Sequence, residues 1–290
     1  MLNCAIANHD QPQAMENARF CEIDDDEIFR VTLRIPHMSV DLLPAMPQFA
    51  AGDDVAGAIA AAAAKAGVAI DDTDVVIVAQ KIVSKAEARV RSLATVIPSQ
   101  EAQDLSDQTG RPAELAQLIL DEASEVMRPT PFAVITRHRT GHVTANSGID
   151  ASNVTDGDHD NVLLWPVDPD ASARAIRVGL ADRMKAMPAV VIADSLGRAW
   201  RQGTLGTAIG CAGLVHTDDR RGQQDMYGRT LQATVVAVAD AIAAFAVLAM
   251  GEGAEGTPVA IVRGAGRWVT HEDGTGAAAI MRPAEGDLFR

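Results

Sequence analysis

Apolar residues in this chain fall into short β-branched runs separated by alanine-rich stretches at helical spacing. Residues 31–35 alternate as a strand does. Pro36, Pro44 and Pro47 follow and exclude helix interior. Gly52 and Asp53 open an alanine-rich helix with Asp53 as N-cap, Val55 and Ile59 on one face, and Gly67 as the stop. Residues 74–79 read as a buried strand, with Gln80, Lys81, Ser84 and Lys85 in the loop after it. Residues 112–126 read as helix, and residues 133–136 and 142–144 as a hairpin about Thr140-Gly141. A helix from Asp170 to about Met187 leads to the clearest buried strand, 189–193, which ends at Asp194. A glycine-rich stretch (Gly197, Gly203, Gly206, Gly210, Gly213) comes next. A helix from about Gln232 to Met250 then runs into the loop 251–256, and a last strand, 258–262, precedes a polar C-terminal tail. This interleaving predicts an α+β fold, with mixed sheets and flanking helices. Residues 1–30 read as an acidic extension, 31–264 as the body of the fold and 265–290 as the tail.

Composition narrows the function. The chain has 290 residues, which at roughly 150 residues per domain means two domains or one large one. A 48% hydrophobic, 22% charged composition excludes a mostly disordered chain. Lys and Arg number 25 against 39 Asp and Glu, a net charge of −14 that excludes a general nucleic-acid binder. An anionic ligand therefore needs a local basic pocket. Aromatic residues are only 3%, so the core is aliphatic and no stacking platform for single strands is expected. Cys4, Cys21 and Cys211 are odd in number and match no zinc spacing, which points to a reducing compartment. There is no signal-peptide pattern, and the most apolar helix is broken by Asp240 and too short for a bilayer. A soluble, cytoplasmic protein without membrane or nucleic-acid partners is expected.

Five constellations carry candidate chemistry. Gln80-Lys81-Ile82-Val83-Ser84-Lys85 follows a buried strand, where ligands usually sit in α/β sheets. A lysine there offsets phosphate charge; the competing reading is a solvated loop that happens to hold two lysines. The Walker A spacing is absent. In residues 145–153, Asp150 and Asn153 offer hard oxygens for Mg²⁺ or a nucleotide, against the competing reading of a turn. Asp194-Ser195 at a strand end suits a metal, or else caps the next turn. Arg198, Arg201, Arg220, Arg221 and Arg229 could clamp an anionic substrate, or pair on the surface with Asp218, Asp219 and Asp225. Gly251-x-Gly253-x-x-Gly256 matches the dinucleotide fingerprint literally, but it follows a helix and precedes a strand, so a Rossmann site is rejected. A glycine loop carrying Glu252 still suits close approach to phosphate. The histidines show no His-x-x-x-His pattern, and nothing suggests a Ser-His-Asp triad.

Taken in order, these segments resemble one family, the coenzyme F420-0:γ-glutamyl ligases. The matching stretches are Gly52-Asp53-Asp54, residues 79–87, residues 145–153 and Asp168-Pro169-Asp170, then Asp194-Ser195-Leu196-Gly197-Arg198, Ala208-Ile209-Gly210, Asp225-Met226-Tyr227-Gly228-Arg229 and Met250-Gly251-Glu252-Gly253. Each is weak alone; the ordered set is specific and covers most of the chain. The resemblance implies a GTP-dependent amide ligase that attaches L-glutamate to the lactyl carboxylate of F420-0, then adds further glutamates by γ-linkages. It implies two divalent metals (Mg²⁺ or Mn²⁺), K⁺, and an intertwined homodimer.

By position, the resemblance implies GTP contacts at Gln80, Lys81, Lys85 and Asn153, at Met46, Pro47, Gln48 and Phe49, and along Met250, Gly251, Glu252, Gly253, Ala254, Glu255, Gly256 and Thr257. Asp150 and Asp194 would hold one metal, Ser195 and Glu252 the second, with Lys85, Asp150 and Asp194 the catalytic set. Ser195 stands where the family often has Thr, which keeps the hydroxyl. Arg198, Arg201 and Arg229 are candidates for the substrate's carboxylates or phosphodiester. Phosphorylation by GTP would turn a poor acyl donor into an acyl phosphate, which the glutamate amine then attacks. Three alternatives stay open: the same chemistry on another carboxylated coenzyme of pterin or furan type, a nucleotide-binding homologue without catalysis, and a metal-dependent phosphatase.

Overall fold

The computed structural model describes residues 37–154, 160–283 and 286. The expected strand at 31–35 and the extension 1–30 lie outside the described residues. From the N-terminal side the elements are β1 (Ser39–Leu42), α1 (Val55–Ala66), β2 (Val75–Ala79), α2 (Gln80–Ala86), β3 (Val90–Ser92), α3 (Gln100–Thr109) and α4 (Ala113–Glu122). Next come β4 (Ala123–Pro129), β5 (Val134–His138), β6 (Val143–Ala145), β7 (Asn161–Leu163) and α5 (Pro169–Met184). The chain continues through β8 (Ala189–Gly197), β9 (Thr204–Ala212), β10 (Thr217–Asp219), β11 (Val235–Ala237), α6 (Val238–Met250) and β12 (Val259–Arg263). The fold is α+β with several sheets.

The principal sheet has the order β1-β12-β2-β8-β9. Only β2 and β8 run parallel; the other neighbours are antiparallel. Both faces are covered, so its central strands read as continuous apolar runs rather than alternating ones. Val76, Val78, Val190 and Ile192 face Ile59, Ile176 and Leu180 of α1 and α5. Val75, Ile77, Val191 and Ala260 face Ile242, Ala246 and Met250 of α6. Each fully buried Val or Ile contributes roughly 1.5–3 kcal/mol. A second region, α3 and α4 against the sheet β4-β5-β6, has its own small core of Leu105, Ile119 and Val134.

Several boundaries differ from the sequence reading, each for a local reason. The N-cap of α1 is Asp54, whose carboxylate accepts from the Gly57 amide at 2.9 Å; Asp53 instead closes the preceding turn on Ala50. Gly67, at φ +67°, ends the helix as expected. The segment after β2 is helical, not a loop. The expected helix at 112–126 stops at Glu122, where the chain enters β4. β8 continues through Asp194 to Gly197, so Asp194 lies inside the strand rather than at its end. The helix expected from Gln232 starts at Val238, after β11. Residues 265–280, read as tail, are tied to the body: Asp170 accepts from the Ala277 amide at 2.7 Å, and buried Arg177 meets Asp273 at 2.6 Å.

The glycine-rich stretch conceals β9. Its glycines mark close approach, not looseness. A Cβ at Gly206 would lie 2.7 Å from the Ala243 carbonyl of α6, and one at Gly210 would lie 2.4 Å from the Pro169 carbonyl of α5. Helices thus press on the two faces of this edge strand where only hydrogen fits. Gly210→Ala is expected to lose about 1–3 kcal/mol of stability, whereas Gly197→Ala, with open space around it, stays within about 0.5 kcal/mol. Urea denaturation of the two variants checks this; equal midpoints would refute the close-approach account.

Candidate active site

The site is set by strand register. Parallel pairing opposes Ala79 to Ala193, so α2 leaves β2 beside Asp194 and Ser195. β12 runs antiparallel to β2, pairing Val259 with Val78, and the Ala79 amide donates to the Pro258 carbonyl at 2.8 Å. The loop 251–257 therefore arrives at the same sheet edge. Asp150 is brought in by a backbone bridge to Leu163, at 3.0 and 2.7 Å.

Side chains from these four segments meet. The Lys81 ammonium contacts the Asp150 carboxylate, and Lys81 also donates to Ser152 Oγ at 3.2 Å. Lys85 Nζ donates to the Asn153 carbonyl at 2.8 Å, and Asn153 Nδ2 donates to the Gly253 carbonyl at 3.2 Å. Ser195 Oγ donates to Glu252 Oε1 at 2.5 Å. Asp194 Oδ2 accepts from the Trp165 indole at 2.8 Å, and Oδ1 from the Ser195 amide at 2.8 Å.

Electrostatics is tense here. Burial raises the Asp194 carboxyl above its ordinary value, against the pull of the Ser195 amide, the Trp165 indole and Lys81. Burial lowers the Lys81 ammonium; Asp194 and Glu252 attract it and Lys85 repels it. Among the described residues, no three His, Cys, Asp or Glu side chains form a ready metal cage. Mg²⁺ typically takes one or two carboxylates and completes its shell with water and phosphate oxygens. The pairs Asp150 with Asp194 and Ser195 with Glu252 are all hard oxygen donors, which suits that ion bound together with a nucleotide.

Residues 45–264 match the family model for F420-0:Gamma-glutamyl ligase. The chain belongs to the F420-0:γ-glutamyl ligase family. It is 43% identical over 245 residues to a coenzyme F420:L-glutamate ligase of Methanothermobacter thermautotrophicus, covering 84% of this chain and 96% of the relative. Identity is 41% over 229 residues to the ligase of that name from Archaeoglobus fulgidus, covering 78% and 88% of the two chains. It is 38% over 257 residues to the one from Methanopyrus kandleri, covering 88% and 99%. These are ligases that form carbon–nitrogen bonds.

The ligase family's expected positions are not equally accessible in this chain. Gln80 is buried, and its amide donates to Ser84 Oγ at 2.6 Å, so its side chain faces inward. Phe49 is buried and Met46 packs against the α1 core, while Pro47 and Gln48 are exposed. The Gly52 amide, donating to Ala86 at 2.8 Å, ties this segment to the end of α2. In the loop after α6, Glu252, Gly253, Ala254, Glu255 and Gly256 are exposed; Met250 is buried, and its carbonyl accepts from Thr257 Oγ1 at 2.8 Å. Arg198 and Arg201 lie exposed on the β8–β9 turn, and Arg229 on the excursion between β10 and β11. Arg220 and Arg221 pair with Asp218 and Asp219 at 2.6 and 2.5 Å, as the surface reading had it.

Sequence reasoning missed the buried polar cluster behind Asp194. Glu122 is bound by Arg89 at 2.8 Å, Arg139 at 2.9 Å and His138 at 3.3 Å. Thr140 Oγ1 lies between His138 Nδ1, at 2.8 Å, and His142 Nδ1, at 2.9 Å. The available signal was the pair of histidines flanking a predicted hairpin turn. Burial alone would raise the Glu122 carboxyl, but bonds from His138 and Arg89 and the arginine charges hold it at about 2, below the ordinary 4.5. Burial pushes the His142 imidazole from 6.5 down to about 4.

In both cases the unfolded chain takes up the proton first as pH falls. The His142 contribution is whole above pH 6.5 and declines toward pH 4; the Glu122 contribution is whole above pH 4.5 and declines toward pH 2. Each is worth about 3 kcal/mol across its window. Glu122→Gln is expected to be less stable at neutral pH and to show a shallower lower limb of the pH–stability curve, while the upper limb remains. Urea midpoints from pH 2 to 8 test this, and an unchanged lower limb would refute it.

Proposed function

We propose that this chain is a GTP- and divalent-metal-dependent amide ligase joining L-glutamate to the lactyl carboxylate of coenzyme F420-0, and then adding further glutamate through γ-linkages. One observation carries the reading. In a chain of this family, Lys81, Lys85, Asp150, Asn153, Asp194, Ser195 and Glu252 come from four separated segments to one sheet edge.

A carboxylate is a poor acyl donor at neutral pH. Transfer of the GTP γ-phosphoryl to the lactyl carboxylate forms an acyl phosphate and releases GDP. The glutamate amine then attacks the acyl carbon, gives up a proton, and phosphate leaves from the tetrahedral intermediate. Lys81 and Lys85 supply positive charge to the polyphosphate. Asn153 and the loop 250–257 line the nucleotide, where glycines let backbone amides come close. Asp150 and Asp194 would hold one ion, Mg²⁺ or Mn²⁺, and Ser195 and Glu252 the other, with K⁺ as a further ion. When bound, these ions neutralise phosphate and leaving-group charge. Lys81 and Asp150 neutralise one another, so a phosphate and a cation entering together preserve local charge balance. Arg198, Arg201 and Arg229 are the candidates for the acceptor's anionic groups. The same reading puts the enzyme in the cytoplasm; among the described residues no helix is long and apolar enough to cross a membrane.

The reading includes a homodimer. Its support is an apolar groove of Met38, Val236, Val238, Phe245 and Trp268, with Leu248 of α6 exposed nearby. Light scattering is expected to give twice the chain mass of 30.5 kDa; a single-chain mass would remove the dimer.

Protein incubated with F420-0, L-glutamate, GTP and Mn²⁺ is expected to yield, by mass spectrometry, a product heavier by one or more glutamyl units. Omitting GTP or metal abolishes it. A folded protein that binds both yet makes no such product would discard F420-0 as the acceptor. Asp194→Asn is expected to lower kcat by about 100-fold or more, and Lys85→Ala to raise the GTP KM by about tenfold. Wild-type values in either variant would remove that residue from the site.

A further inference from the structure

We propose that Trp165 is a positioning residue for Asp194, its indole N–H fixing the carboxylate in the one orientation it presents to a bound cation. This rests on the reading of Asp194 as a metal ligand. The indole Nε1–H donates to Asp194 Oδ2 at 2.8 Å, from 29 positions earlier in the chain. Trp165 is fully buried. A buried indole N–H needs an acceptor, and a half-buried carboxylate oxygen needs a donor; each supplies the other. Phe would keep an aromatic side chain there but leave Oδ2 without its bond.

Trp165 is held through both its backbone and its ring. Arg89 Nε holds the Trp165 carbonyl at 2.7 Å, and Arg89 is itself fixed to buried Glu122 at 2.8 Å. The His138 ring lies tilted at 4.8 Å between centroids, and the His142 ring meets it edge-on at 5.4 Å. The third side is Gly148, where an added Cβ would stand 2.4 to 2.8 Å from the indole. That glycine immediately precedes Ile149-Asp150, so one contact sets both the indole and the approach of the second carboxylate. His142 also reaches the Ala208 carbonyl at 3.4 Å, beside the β8–β9 irregularity that opposes Ala208 to Ala193. The cluster thus has the form of a rigid outer shell: it contributes no donor atom to the pocket and holds one that does.

The test is Trp165→Phe, which keeps an aromatic side chain and removes the N–H. Mn²⁺ binding, measured by electron paramagnetic resonance with GDP present, is expected to weaken by about 10–100-fold. The metal KM should rise in step, and kcat at saturating metal should change far less. In parallel, ¹⁵N-indole spectra of the wild type should show one resonance, absent in the variant, that moves on Mg²⁺ addition. If wild-type protein binds Mn²⁺ and the folded variant binds it equally well, the proposal is overturned while the metal reading stands. If the wild type binds no Mn²⁺ with GDP, the metal reading fails and the proposal with it. If the variant does not fold, the wild-type spectrum decides, and an indole resonance that Mg²⁺ leaves in place overturns the proposal.

Discussion

The parallel register of β2 on β8 is the constraint on which the rest of the molecule depends. Five consecutive pairs, from Val75 with Ala189 to Ala79 with Ala193, bring together stretches more than a hundred residues apart in the chain. A parallel pair cannot be closed by a tight turn. Everything between the strands is therefore crossover, and this chain uses it to build α2, the β4-β5-β6 region, Asp150 and α5. The carboxyl ends of both strands then face one side, where Lys81 and Ser195 meet groups from the crossover and from the loop before β12.

Charge gives that edge its character. A chain of net −14 repels anions in general, yet here two lysines stand among Asp150, Asp194 and Glu252. The arrangement suits a ligand that is itself a composite of phosphate and cation.

Behind this edge lies a polar layer that burial makes expensive and full bonding makes stable. Glu122 would be costly in the interior were it not met by Arg89, Arg139 and His138. The layer grips Trp165 from behind, and the indole reaches through to Asp194. Stability at moderately acid pH and the geometry of the site therefore depend on the same side chains.

The apolar runs of β2, β8 and β12, the glycine stop of α1 and the rejection of a Rossmann site were legible in the sequence, because these rest on period and local backbone chemistry. It also carried the ordered motifs that mark the family. It could not disclose β9, since glycines that read as loose prove to lie where helices press on a strand. It placed Asp194 at a strand end rather than within β8, because an alternating continuation looks polar until β9 pairs with it. Nor could it show that Gln80 turns inward while Lys81 and Lys85 reach the site, or that Trp165, His138 and Glu122 form one unit. Those outcomes depend on contacts between residues tens of positions apart, which only the tertiary packing decides.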